Sequence, residues 1–124
     1  MIEYIFNVQA KSKPRMTQSD KWSARKITAD YWAYKSELVS LANKAGLTAL
    51  PSEIHHINFR MEMPATWSKK KKLEMNGKLH TQRPDLDNLL KGLQDALCKE
   101  DSHIAQINGL SKRWSLLPSI EIEL

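Results

Sequence analysis

The chain has 124 residues, 41% hydrophobic and 27% charged, which suits one domain with a real core but not two. A single cysteine excludes an intramolecular disulfide and a cysteine-based zinc cluster, and no apolar run approaches the roughly 20 residues of a membrane span. The net charge of +5 favours a polyanion, nucleic acid or an anionic membrane, and residues 1–10 lack a signal-peptide pattern, so a cytoplasmic protein is expected.

Residues 2–8 are aromatic and β-branched with partial alternation, which predicts a strand. Residues 10–27 hold six Lys/Arg and Trp22 without clean periodicity and read as a long loop. Thr28 is a plausible N-cap for a helix from 29 to about 44, with Tyr31, Tyr34/Lys35, Leu38, Leu41/Ala42 and Ala45 on one face and Gly46 as its stop. Residues 52–63 form a second strand, with Ile57, Phe59, Met61 and Met63 at a period of two, ended by Pro64. Thr66 or Ser68 can cap a short basic helix running through Lys69–Lys72 to about Met75, and Asn76-Gly77 signals a turn. After Pro84, residues 86–97 carry Leu86, Leu89, Leu90, Leu93, Ala96 and Leu97 at helical spacing. Residues 104–110 and 119–124 read as two further strands. This order predicts a single α+β domain over 1–124, a mixed sheet packed by helices.

The charge is unevenly spread. Residues 1–50 carry net +4, residues 51–80 net +3 and residues 81–124 net −2. Five carboxylates crowd the interval from 85 to 101: Asp85, Asp87, Asp95, Glu100 and Asp101. At about 100° per residue, Asp87, Lys91 and Asp95 lie along one ridge of the 86–97 helix, away from its leucines. Plain readings stay open: Asp87 as helix N-cap, the ridge as ion pairs worth a few tenths of a kcal/mol each, Asp85 as a loop acid. They leave the pairing of Asp85 with Asp87 unexplained, since like charges so close are unfavourable without a cation or strong donor between them. Mg²⁺ suits such a site, with oxygen ligands and few protein carboxylates. Lys91 lies one turn along, where it can neutralise charge on a transferring phosphate, and Asp101 supplies a further carboxylate.

The run Arg83-Pro84-Asp85-Leu86-Asp87-Asn88-Leu89, then Lys91, then Asp95-Ala96-Leu97, then Glu100-Asp101-Ser102-His103-Ile104, resembles the RusA family of Holliday junction resolvases. The strand at 2–8, the Lys13-Pro14-Arg15-Met16-Thr17 loop and Tyr31 resemble that family's opening segment. Two departures stand out: Glu100 where the family commonly has Asp, and a shorter connection across 98–100. The resemblance implies a Mg²⁺-dependent endodeoxyribonuclease, with Mn²⁺ as a substitute and no organic cofactor, acting as a homodimer on branched double-stranded DNA in recombination and repair. It implies that Asp85, Asp87 and Asp101 are catalytic and hold the metal, and that Lys91 is catalytic beside them.

Within that reading the basic residues Lys11, Lys13, Arg15, Lys21, Arg25 and Lys26 line a DNA path through phosphate contacts, with Trp22 either stacking on a base or anchoring the loop. Lys69 to Lys72, Lys69 and Lys70 foremost, are a second phosphate patch or a solvated face, and Arg83 contacts DNA or an acid. His55, His56, His80 and His103 read as ordinary, partly exposed histidines, the adjacent pair facing opposite ways. Cys98 reads as a buried helix residue, and Trp32, Trp67 and Trp114 as core or interface. The rival readings are a non-catalytic DNA-binding module of a phage or prophage and a metal nuclease for flaps or forks.

Overall fold

In chain order the elements are β1 (Glu3–Phe6), α1 (Lys21–Lys44), β2 (Glu53–Glu62), α2 (Lys69–Met75), α3 (Leu86–Leu97), a 3-10 turn (Asp101–His103), β3 (Gln106–Ser115) and β4 (Ser119–Glu123). The computed structural model describes residues 2–14 and 21–124, and of residues 21–27 and Asp101 only the backbone. The strands form one mixed sheet in the order β1-β4-β2-β3. β4 runs antiparallel to both β1 and β2, and β2 runs parallel to β3. A parallel pair needs a long crossover. Here the crossover contains α2 and α3, and it delivers the 83–101 segment to the sheet's helical side.

The apolar residues sort onto that side. Phe6, Ile57, Phe59, Met61, Ile120 and Ile122 from the sheet pack with Tyr31, Tyr34, Leu38 and Ala42 of α1 and Leu89, Leu93 and Leu97 of α3. In β2 the period of two holds from Ile57 onward, but Ile54 is also fully buried, with His55 and His56 between. The opposite face is polar: Asn58 Nδ2 and Arg60 Nε both donate to Glu121 Oε1, at 2.8 and 2.6 Å. His55 is exposed against Glu123, at 3.7 Å, while His56 Nε2 lies 3.2 Å from Ser111 Oγ. The His56 ring lies across Gly109, where any Cβ would stand 2.2 Å from its Nδ1.

Capping residues behave as their chemistry dictates. Ser68 Oγ accepts from the Lys71 amide at 3.1 Å and starts α2. Past α1, the Leu47 amide donates to Ala42 O and the Gly46 amide to Asn43 O, with Gly46 at φ 83°. That is the left-handed helix stop glycine allows. The 86–97 helix has the boundaries its leucine spacing predicts.

Several expectations are corrected. α1 begins at Lys21, so residues 21–27 are helical rather than loop and Thr28 lies inside a helix rather than capping one. Lys21, Ala24, Arg25 and Lys26 are good helix formers, and their propensity extends α1 without a periodic apolar stripe to announce it. The N-cap of α3 is Asp85, and Asp87 sits in the first turn. β3 starts at Gln106 and runs to Ser115 through polar residues, because the ladder with β2 carries it on. His80 is buried, at 5% exposure, whereas Trp32 is 55% exposed and no core residue; Trp114, at 4%, is one. Cys98 is half-buried at the C-cap of α3.

Candidate active site

Asp85 and Asp87 lie together at the start of α3. As the N-cap, Asp85 takes extended backbone angles, φ −66° and ψ 143°, and its carbonyl accepts the Leu89 amide at 3.1 Å. The Asp85 side chain makes no capping hydrogen bond. Both carboxylates are exposed, and among the described residues neither accepts a hydrogen bond or closes an ion pair. Lys91 is exposed one turn along the same ridge. The Asp101 backbone opens the 3-10 turn after α3, and its side chain lies outside the described residues. Among the described residues no three His, Cys, Asp or Glu side chains form a metal cluster.

The loop leading into Asp85 is held from β3. Lys112 Nζ donates to the carbonyls of Gln82 and Pro84, the latter at 2.6 Å. Burial lowers the pKa of Lys112, against the attraction of Asp85, whose carboxylate faces its charge. Two residues before that loop segment, His80 packs against Trp114 with ring centres 4.0 Å apart and planes tilted by 41°, and its amide donates to Lys112 O at 3.0 Å. Burial and the Lys112 charge lower the His80 pKa and favour the neutral ring. Trp114 in turn meets Trp67 at 4.8 Å, and Lys71 lies 4.3 Å above the Trp67 ring. Lys112 carries no signal in the motif; only the register of β3 brings it to the loop.

The other end of the ridge is a hub. Asp95 does not pair with Lys91. Its Oδ2 accepts from Tyr31 Oη at 2.9 Å and Lys35 Nζ at 3.3 Å, and its Oδ1 from Lys13 Nζ at 3.4 Å. Tyr31 Oη also lies 3.2 Å from Gly92 O. Partial burial works to raise the Asp95 pKa, but the Tyr31 and Lys35 hydrogen bonds and the charges of Lys35 and Lys13 outweigh it and hold the carboxyl below its ordinary value. The native state therefore binds this proton less readily than the unfolded chain. Its stabilisation is present above the ordinary carboxylate range near pH 4 and lost as pH falls through the lower native value. Thermal unfolding from pH 7 to pH 3 should show the Tm gap between wild type and Asp95→Asn closing below about pH 4. A gap independent of pH would remove the hub from the stability account.

Gly92 lets the basic segment pass close over α3. A Cβ there would stand 2.6 Å from Lys11 O and 3.5 Å from both Lys13 N and Tyr31 Cε1. In an open helix interior Gly→Ala gains up to about 1 kcal/mol. Against a backbone oxygen the overpacking cost, roughly 1–3 kcal/mol, should win. Gly92→Ala is expected to lower the melting temperature; a rise would mean the 11–13 segment yields freely.

The remaining basic candidates are dispersed. Lys13 is half-exposed and committed to Asp95, while Lys69 and Lys70 are exposed on α2 and Arg83 is exposed before Pro84. Arg15 lies outside the described residues, as do the side chains of Lys21, Trp22, Arg25 and Lys26. Among the described residues no helix is long and apolar enough to cross a membrane.

The model of the family described as Endodeoxyribonuclease RusA matches residues 6–124. The chain belongs to the RusA family. Comparison with curated proteins and with solved structures returned no significant match. RusA enzymes are DNA-cleaving hydrolases, generally dependent on a divalent metal, and the family fold agrees with the mixed four-stranded sheet and helices described above. The match spans β2, the crossover and β3, so it includes Asp85, Asp87, Lys91, Asp101 and Lys112 alike.

Proposed function

We propose that this RusA-family chain is a Mg²⁺-dependent endonuclease that resolves four-way DNA junctions as a homodimer, in recombination and repair. The observation that carries the reading is the family match over residues 6–124, with the exposed Asp85–Asp87 pair at the start of α3 making no hydrogen bond or ion pair among the described residues. Two neighbouring exposed carboxylates without an ion pair among the described residues fit a hard cation that prefers oxygen ligands. Asp85, Asp87 and Asp101 would hold Mg²⁺, with Mn²⁺ able to replace it. When bound, the cation supplies Lewis acidity and positive charge for hydrolysis of a phosphodiester.

The chain's own residues do the rest. Asp85 and Asp87, with only the Lys112 charge facing Asp85, repel phosphate and so make productive contact with DNA conditional on the cation. Lys91 presents its ammonium to the oxygens of the scissile phosphate, where charge grows as the bond breaks. Lys112 fixes the loop from which Asp85 projects. Lys13, Arg15, Lys21, Arg25, Lys69, Lys70 and Arg83 contact the DNA backbone and position the arms. A two-fold dimer matches the two equivalent strands of a four-way junction.

The test is cleavage of a synthetic four-way junction with and without Mg²⁺, beside flap, fork and linear duplex substrates at one salt concentration. Paired, metal-dependent nicks in the junction are expected. Cleavage confined to flaps or forks would replace the junction specificity, and tight binding without any cleavage would make the chain a binding module.

A further inference from the structure

Among the described residues Trp32 is the large aromatic left exposed. It follows buried Tyr31 on α1 yet stays 55% exposed. Two neighbours touch its ring. The Tyr31 ring meets it edge-on at 6.4 Å and 64°, and Lys35 Nζ lies 4.8 Å from its ring centre. The same Lys35 Nζ is 3.3 Å from Asp95 Oδ2, so the indole is joined through one lysine to the ridge of α3. Asp95 stands two turns, roughly 12 Å, along that ridge from Asp87.

Beside the indole runs an open groove of about 530 Å³ along the outer face of α1, lined by Trp32, Lys35, Ser36, Val39, Asn43 and Lys44 among others. Its charged lining is lysine, without a carboxylate. An apolar protein partner would find only Trp32 and Val39 to bury. A nucleic-acid strand finds an indole more than half exposed, with Lys35 Nζ over one face, and beyond it the Lys44 ammonium with hydroxyl and amide side chains between. Stacking on an aromatic combined with lysine contacts to phosphate is how single strands are held without sequence preference. At about 3.4 Å of rise per nucleotide, the groove is a few nucleotides from a phosphate at Asp87.

We propose that Trp32, with Lys35 over its ring and Lys44 about 18 Å farther along α1, is a stacking platform for an unpaired base of branched DNA, gripping the strand a few nucleotides from the cut. This rests on the reading that the chain cuts branched DNA. The experiment compares wild type, Trp32→Ala and Trp32→Phe by fluorescence anisotropy without divalent metal. The probes are a four-way junction with unpaired bases at its centre and a linear duplex of equal length. Cleavage kinetics on the same junction follow with Mg²⁺. Trp32→Ala should weaken junction binding roughly 5- to 100-fold, the range for loss of one stacked base. It should raise KM while sparing kcat and leave duplex binding unchanged, and Trp32→Phe should restore most of the loss. Unchanged junction affinity in Trp32→Ala overturns the platform alone. Equal loss on junction and duplex, or dissociation of the dimer by size-exclusion chromatography, also overturns it, the latter in favour of a protein interface. Wild type with no preference for branched DNA overturns the functional reading and the platform with it.

Discussion

Asp85→Asn and Asp87→Asn should each abolish junction cleavage while junction binding is kept or strengthened. Substitution of outer-shell groups around a metal costs 10- to 100-fold. Loss of a carboxylate that itself holds the cation should therefore cost at least about 100-fold. Binding moves the other way because each substitution removes a negative charge that faces phosphate. Stability should not confuse the result: both carboxylates are exposed and neither makes a hydrogen bond or ion pair among the described residues, and Asn serves as an N-cap as well as Asp. The measurements are the cleavage time course, gel-shift affinity and melting temperature of each variant. Wild-type cutting by either one would move the site away from the start of α3.

Lys112→Met carries the second large effect, and two consequences of it compete. Removing the charge near Asp85 makes the site more negative, which favours a cation. At an exposed carboxylate that gain is worth at most about 1 kcal/mol. The substitution also deletes the bonds to the carbonyls of Gln82 and Pro84. Bonds from a charged donor are worth about 1.5–3 kcal/mol each, so loosening of the loop should win. Cleavage should fall roughly 10- to 100-fold, with a higher Mg²⁺ concentration for half-maximal rate. Lys112→Arg, which keeps a charged donor, should recover part of it. A variant with unchanged Mg²⁺ dependence would show that the loop holds its shape without the lysine.

The two substitutions also mark how far the sequence could be read. Asp85 and Asp87 stand in one short run, and the leucines after them repeat at helical spacing, so both the pair and the full extent of α3 were legible. Ser68 and Gly46 were legible for the same reason, because a cap acts over a few residues. Lys112 was not, since it reaches the loop through the pairing of β3 with β2, and such register has no local mark. Asp95 was read with its helix neighbour Lys91, but the fold gives it Tyr31, Lys35 and Lys13 from far along the chain. The start of α1 was missed because its first turns bear no periodic apolar stripe. Trp32 was read as core or interface, and its exposure removes the core half of that reading: its neighbours Tyr31 and Lys35 touch the ring without burying it.

The strand order has a consequence for how the molecule comes into being. β1 is synthesised first, and its sole neighbour in the sheet is β4, synthesised last of the eight elements. β4 also separates β1 from β2, so the first strand stays unpaired on the ribosome until the final one emerges. Pairings so distant in sequence form slowly. Ile120 and Ile122 arrive with that strand and complete the apolar floor beneath α1 and α3. The helix that presents Asp85 and Asp87 is therefore seated only after translation has passed every residue of the site. The surface that bears the two carboxylates is thus completed by the strand that closes the sheet, not by the helix that carries them.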